Sequence, residues 1–133
     1  MSAALRPGAT IGIVGGGQLG RMLAMAAARL GYRTIVLEPQ ADCPAAQVAN
    51  AHIVGAYDDP EALTELARRC DVVTFEFENV PLAAAEALAR GPAPLHPPAR
   101  ALDVAQDRLT EKTFLNGLDI ATAEFRPVDS EAD

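Results

Sequence analysis

The 133-residue sequence has only two cysteines, no tryptophan and fewer basic than acidic side chains, 11 against 18. Each shortage removes a class of function. Cys43 and Cys70 are isolated, with no C-x-x-C spacing and no adjacent histidine cluster, so both read as ordinary reduced thiols rather than a disulfide or a metal site. A net charge of −7 argues against a nonspecific polyanion binder, and no nucleic-acid partner is expected. No apolar run approaches the ~20 residues that span a bilayer, and the opening MSAALRPGA lacks a signal-peptide core. A cytoplasmic location without membrane attachment is therefore expected. Internal repeats and long low-complexity tracts are also missing, and the many alanines raise the apolar share to 50% without adding much core volume. The length suits one compact domain that buries roughly two thirds of its unfolded surface.

What is present concentrates in residues 10–22, TIGIVGGGQLGRM. Ile11, Ile13 and Val14 suit a buried strand. Gly15, Gly17 and Gly20 follow in G-x-G-x-x-G register, and Leu19, Met22, Leu23, Ala26, Ala27 and Leu30 recur at helical spacing as the expected buried face. Met22 and Met25 are expected to serve packing. A strand that turns through glycines into a helix offers backbone N–H groups that have no partner within the helix, together with the positive end of its dipole. A phosphate is the natural guest. Glycines needed only for a tight turn and close packing are the plainer reading.

The remaining chain alternates strand and helix. Arg33–Glu38 is the second strand, and residues 40–50 form a loop with a turn of helix. Ala51–Val54 is the third strand, and Pro60–Arg69 is a helix capped by Asp59. Residues 72–77 are predicted as the fourth strand and residues 82–90 as a helix ended by Gly91. Leu95 and His96 could form a brief fifth strand among four prolines. One or two helices follow, stopped by Asn116 and Gly117, before an extended piece over 120–128. This order implies an α/β fold, a doubly wound and mainly parallel sheet with helices on both faces, whose ligands sit beyond the carboxyl ends of the strands.

Several side chains are candidates for chemistry. Glu38, eighteen positions after Gly20, occupies the place of the ribose-binding acid in an NAD(P)-binding dehydrogenase domain, although Pro39 follows it and no catalytic partner is evident. In residues 74–81, TFEFENVP, strand alternation would put Glu76 and Glu78 on one side and Phe75 and Phe77 on the other, giving either a paired-carboxylate ligand contact or a solvated strand end. Arg108 lies between Asp107 and Glu111, where local ion pairing is the simple explanation. His52 and His96 have no ligating neighbours and read as structural.

Three segments, GGGQLGRM at 15–22, TFEFENVP at 74–81 and AQDRLTEK at 105–112, together resemble the N-terminal portion of the N5-carboxyaminoimidazole ribonucleotide synthetase family, ATP-grasp enzymes of purine biosynthesis. The resemblance implies a Rossmann-like pre-ATP-grasp, substrate-binding domain over residues 1–118 and the start of a truncated ATP-grasp domain over 119–133. It further implies a full-length carbon–nitrogen ligase that uses ATP, Mg2+ and bicarbonate to carboxylate 5-aminoimidazole ribonucleotide. A homodimer is one assembly open to that enzyme. On this resemblance Gly15, Gly17, Gln18, Leu19, Gly20, Glu76, Glu78 and Asn79 would hold the ribonucleotide, and Arg108 would contact ATP. The catalytic residues and metal ligands would lie outside this chain, so the fragment alone should be inactive. A noncatalytic nucleotide-sensing module is the alternative from another class.

Overall fold

The computed structural model describes residues 4–130. Residues 131–133, the end of the expected second unit, fall outside the described residues, as do residues 1–3 at the start of the first. The chain runs β1 (Thr10–Val14), α1 (Gln18–Arg29), β2 (Arg33–Glu38), a 3-10 turn at Pro44–Gln47, β3 (Ala51–Val54), α2 (Pro60–Arg69), β4 (Val72–Phe75), α3 (Leu82–Ala89), α4 (Ala99–Ala105) and α5 (Arg108–Gly117). The four strands form one parallel sheet in the order β3-β2-β1-β4. The chain therefore starts in the middle of the sheet, winds outward to β3, and returns to the other side of β1. That reversal leaves a crevice beyond the ends of β1 and β4, the place where doubly wound sheets bind ligands.

Helices cover both faces of the sheet. On one side Val14, Ile35, Leu37 and Val73 pack under α2, α3 and α4 with Leu63, Leu66, Leu88 and Leu102. On the other, Ile13 and Val36 meet Ala24 of α1 together with Cys43 and Ala45 of the loop after β2. The helix α2 starts as its sequence dictates: the Asp59 carboxylate accepts from the Glu61 N–H at 2.9 Å, and Pro60 sits at the first helical position, where no N–H is needed.

The structure corrects four details. The fourth strand stops at Phe75, short of Phe77, because its partner β1 ends opposite it at Val14; Glu76 gives one last N–H to the Val14 carbonyl at 3.1 Å. The fifth strand is a single parallel bridge between Val73 and Leu95. Helix α5 ends at Gly117, so Asn116 and Gly117 do mark its stop, but as its last helical residues rather than residues beyond it, and the left-handed residue that follows is Asp119 at φ 60°. The fourth correction is the largest. Helix α1 buries Gly20, Ala24 and Ala27, while Leu19, Met22, Leu23, Met25 and Leu30 are all exposed. The stripe of large side chains, the two methionines included, faces away from the sheet.

Candidate functional site

Strand register assembles the site. Val14 is paired with Leu37 on one side and Phe75 on the other, so Gly15, Glu38 and Glu76 each lie one residue past the same row of the sheet. Two carboxylates thereby flank the glycine turn. Glu38 Oε2 accepts the Gly16 N–H at 2.8 Å, and Glu76 Oε1 accepts the Gly17 N–H at 3.3 Å.

The glycines then divide by role. Gly15 has φ 108°, a conformation that disfavours side chains, and a Cβ there would run into Glu76. A Cβ on Gly20 would lie 2.5 Å from the Gly15 carbonyl oxygen, so this glycine sets how closely α1 approaches the end of β1. Gly15 and Gly20 are buried and form the frame. Gly17 is half-exposed, with an ordinary φ of −71° and only the Glu76 carboxylate near its Cβ position, and Gln18 and Leu19 are exposed. The first helical hydrogen bond runs from the Arg21 N–H to the Gly17 carbonyl, which leaves the amides of Gln18, Leu19 and Gly20 ahead of the helical ladder. These amides and the helix dipole make an anion-binding end.

Glu76 is the acid best placed to serve a ligand there. Burial raises its pKa, the Gly17 N–H opposes that rise, and the negative charges of Glu38 and Glu78 add to it. Incoming hydroxyl or amino donors would relieve the same desolvation. Glu78 does not share a strand face with Glu76, since the strand has already ended; Glu78 and Asn79 are exposed in the turn that follows. That turn is held from outside by Gln106, whose side-chain amide donates to the carbonyls of Glu78, at 2.8 Å, and Val80. A shallow cleft of about 370 Å³ opens between Glu76 and Glu78 on this loop and Pro97 and Ala101 at the start of α4. A second groove, between α2 and α3, holds none of the sequence-predicted site residues.

Two participants escaped sequence reasoning. Tyr57, just past β3, donates its hydroxyl to Glu38 Oε2 and packs its ring against Phe77 with centroids 5.3 Å apart. Burial and the Glu38 bond raise its pKa, so it remains a donor at neutral pH. Gln106 is the other. Its proximity to the acidic loop is a long-range contact without a local signal, whereas the register of β2 and β3 would have brought Tyr57 near Glu38. The remaining candidates have quieter surroundings. Arg108, at the start of α5, is exposed and paired with Glu111. His52 donates from Nε2 to the Glu38 carbonyl at 3.1 Å, and Cys43 is buried beneath Gly16. Burial pushes the Cys70 thiol up to about 11. Among the described residues no three His, Cys, Asp or Glu side chains cluster to hold a metal, and no helix is long and apolar enough to cross a membrane.

A parallel sheet that reverses at β1, with free helical amides and a half-buried acid at the reversal, defines an α/β domain of the doubly wound class whose switch point is shaped to take an anion. The comparisons with known proteins agree and are narrower. The family model of the ribonucleotide synthetase preATP-grasp domain matches residues 8–106, and the chain belongs to that family. It is 68% identical to N5-carboxyaminoimidazole ribonucleotide synthase of Brucella melitensis over 127 residues, which is 96% of this chain and 35% of the relative. Among solved structures it is similar to the N5-carboxyaminoimidazole ribonucleotide synthetase of Thermus thermophilus, with TM-score 0.84 and 51% identity, covering 92% of this chain and 34% of that one. It is also similar to the Aspergillus clavatus synthase solved with ADP and 5-aminoimidazole ribonucleotide, with TM-score 0.79 and 36% identity, covering 89% and 31%. The chain thus spans about a third of the length of these relatives.

Proposed function

We propose that this chain is the ribonucleotide-binding, N-terminal domain of an N5-carboxyaminoimidazole ribonucleotide synthetase, acting in the cytoplasm in purine biosynthesis. The full-length ligase would use ATP and bicarbonate to carboxylate the exocyclic amine of 5-aminoimidazole ribonucleotide, releasing ADP and phosphate. The observation that carries this reading is the set of free amides at Gln18, Leu19 and Gly20 beside the half-buried Glu76, at the point where the sheet reverses.

In this reading the ribonucleotide phosphate sits on the open amides of Gln18, Leu19 and Gly20, next to Gly17, where a local dipole outweighs a screened negative overall field. Gly15 and Gly20 shape the turn that presents them. Glu76 accepts from the ribose hydroxyls or the base, and Glu78 and Asn79 border the same pocket. Arg108, exposed at the start of α5, breaks its pair with Glu111 to meet ATP, with a guanidinium suited to a phosphate or a purine face. We assign the Mg2+ that accompanies ATP, and the phosphoryl-transfer residues, to the two thirds of such a synthetase that this chain does not span. Residues 1–118 then form the substrate domain and residues 119–133 lead into the next. A homodimer of the full-length enzyme is compatible with this arrangement.

Titration calorimetry of the chain with 5-aminoimidazole ribonucleotide and with NAD tests the reading. Ribonucleotide binding without NAD binding is expected. Gly17→Val, whose backbone φ tolerates a side chain, should keep the fold and weaken ribonucleotide binding about tenfold or more by crowding the phosphate. Tight NAD binding with no response to the ribonucleotide would overturn it.

A further inference from the structure

Five consecutive amides, Gly16 to Gly20, surround the turn, and two of them are already taken. The Gly16 N–H is held by Glu38 and the Gly17 N–H by Glu76. Glu38 has the place of a ribose-binding acid at the end of β2, yet it is turned inward. Its Oε2 accepts from both the Gly16 N–H and the Tyr57 hydroxyl, and its Oε1 accepts from the Gln40 N–H at 3.3 Å. Tyr57 is itself fixed by its ring contact with Phe77, the residue after Glu76. One chain of contacts, Gly16 to Glu38 to Tyr57 to Phe77, therefore ties the glycine turn to the acidic loop across the ends of all four strands.

This arrangement has a consequence for charge. A single phosphate finds the three amides of Gln18, Leu19 and Gly20. A second phosphate, as in a diphosphate-linked dinucleotide, would meet two carboxylates next to the turn instead of further amides, and like charges in a partly desolvated site repel strongly. We propose that Glu38 and Tyr57 are specificity-determining residues that limit the glycine loop to one phosphate, admitting ribonucleoside monophosphates and excluding diphosphate-linked nucleotides. Glu38 supplies the excluding charge. Tyr57 is a positioning residue that keeps that charge on the Gly16 amide. The proposal rests on the ribonucleotide reading above.

The test is a ratio of affinities, 5-aminoimidazole ribonucleotide against ADP-ribose, measured by calorimetry on the unaltered chain and on two variants. Glu38→Gln keeps the shape and removes the charge, and it should shift the ratio toward ADP-ribose by about tenfold or more. Tyr57→Phe keeps the ring on Phe77 and loses only the donor, so a smaller shift in the same direction, about threefold, is expected. Since Tyr57 acts through Glu38, the double variant should match Glu38→Gln alone. A ratio unchanged within a factor of about two in Glu38→Gln, with the monophosphate still bound, overturns the proposal while leaving the ribonucleotide reading intact. If Glu38→Gln loses cooperative thermal unfolding, the same ratio in Tyr57→Phe decides. No binding of the ribonucleotide by the unaltered chain overturns both.

Discussion

The two faces of the sheet are built differently. Among the described residues sixteen are buried in the cluster under α2, α3 and α4, with leucines at 37, 63, 66, 88, 95 and 102, whereas the α1 side buries a cluster of five, of which Ile13 and Val36 are the only large aliphatics. The thick face supplies the bulk of the apolar burial, and so of the stability. The thin face is thin for a reason: Gly20, Ala24 and Ala27 let α1 lie close on the sheet, and only that closeness brings its first amides to the end of β1 beside Glu76. Site geometry and core volume are thus divided between the two sides of one sheet.

The sharpest way to break this contrast is to cut into each face in turn. Leu66 is fully buried on the thick side, and Leu66→Ala should lower the unfolding free energy by about 2–5 kcal/mol in urea titration, with little change in the glycine turn. A loss below about 1 kcal/mol would mean that the thick face is not the main store of stability. Gly20→Ala comes next. The added methyl would lie 2.5 Å from the Gly15 carbonyl, which is backbone and cannot swing aside. Overpacking should exceed the gain of ~1 kcal/mol in helix propensity, for a net loss of about 1–2 kcal/mol, and ribonucleotide binding should fall with it. The same substitution raising stability without touching binding would show that α1 has room to spare.

Much of the fold was legible because its signals are local. The β-branched runs at Arg33–Glu38 and Ala51–Val54 and the Asp59-Pro60 start of α2 carry their own chemistry, and those elements begin and end where the residues say. The parallel, doubly wound order followed from alternation alone. The glycine turn was legible as a strand-to-helix bend, but which glycines frame it and which face outward depends on the neighbours Glu76 and Cys43, set by long-range packing. The pairing of Glu76 with Glu78 failed for a related reason. Strand alternation extends only as far as the ladder, and the ladder ends where β1 turns away at Gly15. Glu38, placed at its position by spacing, was illegible in its direction, because the hydroxyl that turns it inward arrives from beyond β3.

The face of α1 was misread because periodicity weighs side chains by size, and the smallest residues of this helix are the ones inside. Met22 puts that reversal to the mildest test. Its side chain is 63% exposed, on the same outer stripe as Leu19 and Leu23. Met22→Gln therefore removes almost no buried apolar area from the chain and replaces one good helix former with another, so the unfolding free energy from urea titration should change by no more than ~0.5 kcal/mol. Ribonucleotide affinity should also hold, since the amides of Gln18 to Gly20 are untouched. A loss near the ~2 kcal/mol of a buried methionine would mean that α1 turns its large side chains inward. Gly20 would then no longer rest on the Gly15 carbonyl, and the close approach on which the thin face depends would be gone.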